Sequence, residues 1–90
     1  MKLKYNFAIQ EVTDFWAAVP VGKDAKKYHG VMSLNESAKD MMELLRDDIT
    51  EEQLVKKMLA TYDVPEEQLR RDVAELLQQL READVLDESF

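Results

Sequence analysis

Cysteine is absent from this 90-residue chain, so neither disulfides nor thiolate metal sites can form. Histidine occurs once, as His29. A two-histidine metal site is therefore impossible, and any Ser-His-Asp set would have to use that one ring. Its place in a predicted strand marks it as a structural or surface residue. Ser33, Ser37 and Ser89 have no adjacent base. Gly22 and Gly30 are the only glycines and stand too far apart for a glycine-rich phosphate loop. Asp47-Asp48 lacks the alternating oxygen ligands and central glycine of a calcium loop. No run approaches the ~20 apolar residues that span a bilayer, and Met1–Asn6 lacks the apolar stretch of a signal peptide. These absences lead to the expectation of a soluble, cytoplasmic, non-catalytic protein without a cofactor.

Charge of one sign is also scarce where it would matter for nucleic acids. Residues 1–30 carry a net +2, whereas residues 31–90 hold seven Lys and Arg against sixteen Asp and Glu, a net −9. An acidic helical region repels a phosphate backbone. It either keeps a small domain soluble or favours a basic partner. A chain of this length buries roughly 60–65% of the surface its unfolded form exposes, which supports a single modest core. The expectation is one domain over residues 1–90.

The first third has the character of strands. Tyr5, Phe7 and Ile9 share one parity, Thr13-Asp14 suits a tight turn, and Phe15–Val21 is apolar on both faces. Pro20 belongs at a strand end or edge because it cannot donate to a ladder. If Phe15, Ala17 and Val19 face inward, Trp16 points the other way and is partly exposed. Gly22–Lys27 is a polar loop, and Tyr28–Leu34 is a third strand. The expected strands thus span about 5–34 as an antiparallel meander.

Helices follow at about 36–46, 51–62 and 66–83. Asn35 is a strong N-cap, and Thr50 with Gln53 matches a capping box. Pro65 suits a first helical position. Ala38, Met41, Met42 and Leu45 share one face of the first helix. Leu54, Val55, Met58, Leu59 and Tyr62 give helical spacing to the second, and Leu69, Val73, Leu76, Leu77 and Leu80 to the third. Val85-Leu86 suggests a short closing strand, and Asp87–Phe90 a frayed end. Met41, Met42 and Met58 fit core positions. Met32 fits the core too, or an adaptable contact in the third strand. The order is that of an α+β, winged-helix-like domain.

Three functional classes fit that outline unequally. A carrier protein needs a serine at a helix start in a suitable context, and neither Asn-Glu-Ser-Ala nor Glu-Ser-Phe supplies one. A winged-helix DNA binder needs cations on its third helix, where Arg70, Arg71 and Arg81 face Glu66, Glu67, Asp72, Glu75 and Glu82. A peptide-binding module needs an open strand edge, which a three-strand meander provides. On the third helix the apolar stripe broadens toward Ala74 and Leu77, beside Arg70 and Arg81. From spacing alone this is either one wall of a peptide groove or packing against another helix.

The ordered text Leu34-Asn35-Glu36-Ser37-Ala38, Thr50-Glu51-Glu52, Tyr62-Asp63-Val64-Pro65-Glu66-Glu67, Asp72-Val73 and Leu76-Leu77-Gln78-Gln79-Leu80 before Val85-Leu86 resembles the PqqD-like family. This is the pyrroloquinoline quinone synthesis protein D group, also described as recognition elements for ribosomally synthesised, post-translationally modified peptides. The resemblance implies a non-catalytic adaptor, or peptide chaperone, that docks a precursor's leader segment as an added strand. The partner it implies is a modifying enzyme, often a radical SAM maturase. Docking would use Gly30, Val31, Met32 and Ser33 with a helix wall of Arg70, Val73, Ala74 and Leu77, and Arg81 beside them. Under that reading Leu77→Asp weakens binding and leaves the fold intact. Neither nucleic acid nor membrane is an expected partner, and the chain is a monomer or homodimer. The alternative is a winged-helix regulator or interaction domain acting through protein contacts or weak DNA binding.

Overall fold

The computed structural model describes residues 1–26 and 30–88. A short N-terminal strand, β1 (Lys2–Leu3), precedes the hairpin of β2 (Phe7–Val12) and β3 (Phe15–Pro20). The hairpin register pairs Val12 with Phe15 and Phe7 with Pro20. Thr13 takes the positive φ of 30° that such a tight connection demands. Gly22, at φ 62°, opens a 3-10 turn over Gly22–Lys26 in a conformation that favours glycine. β4 (Met32–Leu34) then pairs antiparallel with β3, giving the sheet order β2-β3-β4. β4 begins at Met32, with Gly30 and Val31 ahead of it outside the strand, and the expectations for Tyr28 and His29 fall outside the described residues.

Three helices follow: α1 (Glu36–Leu44), α2 (Glu51–Thr61) and α3 (Glu66–Glu82). Asn35 caps α1 by accepting from the Ala38 N–H at 2.8 Å. Thr50 and Gln53 form the reciprocal capping box on α2, at 3.1 and 3.0 Å. Pro65 lies one position earlier than expected, at the N-cap of α3, with Glu66 and Glu67 in the first turn where the helix dipole favours acids. Thr50→Ala leaves first-turn amides of α2 without their partner. It should lower stability by about 1 kcal/mol, read as an earlier urea midpoint with an unchanged slope.

One face of the sheet and the three helices share a single core. Phe7, Ala18, Met32 and Leu34 pack with Met41, Met42, Leu45, Leu54, Met58, Leu69, Val73, Leu77 and Leu80. Trp16 belongs to the inward parity, because it pairs with Leu34 while Ala18 pairs with Met32. Trp16 and Ala18 therefore face the helices, and Phe15 faces away and is exposed. This reverses the parity considered for β3, although Trp16 remains only partly buried.

The chain ends hold each other. β1 pairs with β5 (Leu86–Asp87), matching Leu3 to Leu86 and Lys2 to Asp87. The Lys4 N–H donates to the Val85 carbonyl at 2.8 Å, and Arg81 binds Glu88 at 2.8 Å. Asp87 and Glu88 are thus tied down rather than frayed, because the N-terminal strand supplies a partner for this segment.

Candidate functional site

β4 is the edge of its sheet: β3 occupies one side, and no strand among the described residues occupies the other. An open edge presents backbone N–H and C=O groups that a further strand can pair with. Val31, immediately before β4, is 62% exposed. It has no hydrogen-bond partner among the described residues. Asn35 then turns the chain into α1, which fixes β4 beside the start of that helix.

Across from this edge runs α3, and between them lies a groove of about 400 Å³. Ser33, Leu34 and Asn35 form its strand side, with Ser37, Ala38 and Met41 at the base. The α3 wall is Gln68, Asp72, Glu75, Leu76 and Gln79. A second hollow of about 350 Å³ shares Asn35, Ser37, Gln68 and Asp72 and extends to Tyr62, Val64 and Leu69. Gln68, Asp72, Glu75 and Gln79 recur at three- and four-residue spacing, so they project from one flank of the helix.

The residues expected from the sequence distribute differently along that helix. Val73 and Leu77 are fully buried in the core, so neither side chain lines the groove. Arg70 lies on the flank toward α2, where it binds Glu52 at 2.7 Å and Glu66 at 2.8 Å. Arg81 binds Glu88, and Ala74 is exposed without lining the groove. The broadening of the stripe toward Leu77 is packing: eleven residues of α2 lie on that side and bring Leu54, Val55 and Met58 into the core. On the strand side, Ser33 lines the groove, and Gly30 and Val31 lie exposed just before it. The Met32 side chain is 5% exposed and part of the core. The Met32 backbone pairs with Ala18 in the ladder to β3, so the open edge is offered by Val31 and Ser33 on either side of it.

Apolar spacing points to the wider side of the stripe and passes over the polar flank of α3 that lines the groove. The available signal was the run of Gln68, Asp72, Glu75 and Gln79 at helical spacing on the other side of that stripe.

A polar cluster adjoins the second hollow at Tyr62. The Tyr62 hydroxyl donates to the Asp40 carboxylate, and Lys39 Nζ lies 2.7 Å from Asp40 Oδ1 and 4.5 Å from the Trp16 ring centroid. The cluster joins α1, the end of α2 and β3, and Tyr62 itself borders the second hollow. Burial alone would raise the Asp40 carboxyl, but hydrogen bonds from Lys39 and Tyr62 outweigh it and hold the group below its ordinary value. Burial, with the bond to Asp40, pushes the Tyr62 phenol up to about 12. A phenol whose pKa is raised on folding contributes stability that is complete below its unfolded value near 10 and is lost as pH rises toward 12. Urea denaturation across that window should show a steeper loss for the wild type than for Tyr62→Phe, which has no phenol to ionise. Equal slopes would mean that the hydroxyl does not feel the fold.

No group of three or more metal-binding side chains occurs among the described residues. No helix among them is long and apolar enough to cross a membrane.

Comparisons with known proteins agree with this architecture. The family model described as "Coenzyme PQQ synthesis protein D (PqqD)" matches residues 21–86. Among solved structures, "TbiB1 in Complex with the TbiA(beta) Leader Peptide" superposes with a TM-score of 0.73 at 18% identity, covering 100% of this chain and 99% of that one. At that identity the likeness shows a shared fold: a three-strand antiparallel sheet followed by three helices. No curated protein matches the chain closely in sequence.

Proposed function

Because the chain belongs to the PqqD family, we propose that it is a non-catalytic adaptor that binds the leader segment of a ribosomally made precursor peptide and presents it to a modifying enzyme. The observation that carries this reading is the groove beside β4, whose edge is open and whose far wall is the polar flank of α3. A peptide entering there pairs its backbone with β4, and alternate side chains turn toward α3. The superposed TbiB1 structure, which holds a leader peptide, supports the same reading. As the family resemblance implies, the enzyme is of the radical SAM type, and its redox chemistry belongs to that partner. The docking residues are the backbone of Val31 and Ser33 and the side chains of Gln68, Asp72, Glu75 and Gln79. This replaces the wall of Arg70, Val73, Ala74 and Leu77 with the opposite flank of the helix.

Backbone chemistry tests the mode directly. A short peptide selected against the protein from a randomised display library should bind reversibly. N-methylation of alternate amides in that peptide should abolish binding in one register and spare it in the other, because strand amides point alternately toward and away from the partner. Failure to select any peptide would overturn the function. Indifference to N-methylation at every position would overturn strand addition.

A further inference from the structure

The groove is charged with one sign. Asp72 and Glu75 are the ionisable side chains of its α3 wall, and no Lys or Arg lines it. The second hollow repeats the pattern, with Glu36 and Asp72 and no cation. On the opposite flank of the same helix, Arg70 is neutralised by Glu52 and Glu66. Asp72 and Glu75, by contrast, have no hydrogen-bond or ion-pair partner among the described residues. Arg71 lies one turn before Glu75, neither pairs with it nor lines the groove, and leaves the wall negative. Beyond Asp72 the surface turns apolar, where Tyr62, Val64 and Leu69 line the second hollow.

Resting on the peptide-docking reading, we propose that the groove selects peptides carrying two basic side chains two positions apart, which meet Asp72 and Glu75, with an apolar side chain beyond them in the hollow at Val64. The spacing follows from the two backbones. Asp72 and Glu75 are separated by about 4.5 Å along the helix axis. Side chains on one face of an added strand recur every ~6.8 Å, a mismatch that flexible Lys and Arg stems absorb. A peptide acidic on that face would place like charges together in a chain already at net −7.

The test selects randomised displayed peptides on the intact wild-type chain, on the double variant Asp72→Asn with Glu75→Gln, and on the reversed pair Asp72→Lys with Glu75→Lys. Wild type should enrich Lys or Arg at two positions separated by one residue. The amide variant should lose that preference and bind the wild-type peptides roughly tenfold more weakly, a few-fold per partly exposed pair. The reversed pair should enrich Asp and Glu instead, which a merely damaged groove would not do. Neutral or acidic peptides enriched by wild type, or the same basic set enriched by all three, would overturn the charge reading while leaving peptide docking intact. Enrichment of no peptide by wild type would overturn both.

Discussion

Leu77→Asp is expected to unfold the protein. The side chain is fully buried in the seam where α3 meets α2 and the sheet. Removing a buried leucine side chain to a small residue typically costs roughly 2–5 kcal/mol through lost transfer energy and the cavity left behind. A carboxylate in its place must be buried unpaired or stay protonated, and either adds several kcal/mol more. No described side chain with a buried polar or charged group is available to compensate, because the core is apolar throughout. The sum is comparable with the whole stability of a small domain, about 5–15 kcal/mol. Circular dichroism at room temperature should show lost helix content, and the variant should accumulate poorly. The exposed Ala74→Asp, three residues earlier, should fold normally and bind peptide normally. A folded Leu77→Asp with impaired binding would return the groove to the flank that the sequence suggested.

Val31→Pro should leave the fold intact and weaken peptide binding at least tenfold. Val31 is 62% exposed and stands outside the ladder with β3, so the substitution removes neither core volume nor a sheet hydrogen bond. It does remove an N–H that an added strand would use, and its ring crowds the approaching backbone. One lost hydrogen bond contributes about 0.5–1.5 kcal/mol. The ring adds to that, and each 1.4 kcal/mol is tenfold in affinity. Met32→Pro behaves differently: it empties a buried position opposite Ala18 and should lower stability first. Anisotropy of a labelled, library-selected peptide reads the affinity, and urea denaturation reads the fold. Unchanged affinity for a folded Val31→Pro would place the peptide elsewhere.

Much of the architecture was legible because local signals and burial agree. Leu69, Val73, Leu76, Leu77 and Leu80 have helical spacing, and all five are buried. Asn35, Thr50 and Gln53 announce helix starts through side-chain oxygens that accept from backbone N–H groups at the cap and in the first turn. The edge strand was legible as well, since a strand leading directly into Asn35 has little chain with which to cover its outer side.

What stayed hidden depends on contacts between distant segments. The apolar stripe of α3 has two flanks, and spacing cannot say which one meets the sheet and which meets α2. The side widened by Leu77 suggested a ligand wall but packs against α2. The flank that lines the groove carries Gln68, Asp72, Glu75 and Gln79, residue types common to any solvated helix face. β3 is apolar on both faces, so alternation could not settle whether Phe15 or Trp16 turns inward; the register with Met32 and Leu34 does. β1 and β5 are two residues each and form only because the chain ends meet, and no periodicity can exist in so short a piece.

Chemical-shift mapping tests the central claim most directly. Isotope-labelled protein titrated with a library-selected peptide should show amide shifts concentrated in residues 30–35 and on the Gln68, Asp72, Glu75 and Gln79 flank of α3. The amides of Arg70, Ala74 and Arg81 and the exposed face around Phe15 should move little. That pattern is the account's prediction. Shifts centred on Arg70, Ala74 and Arg81, with β4 unmoved, would contradict it.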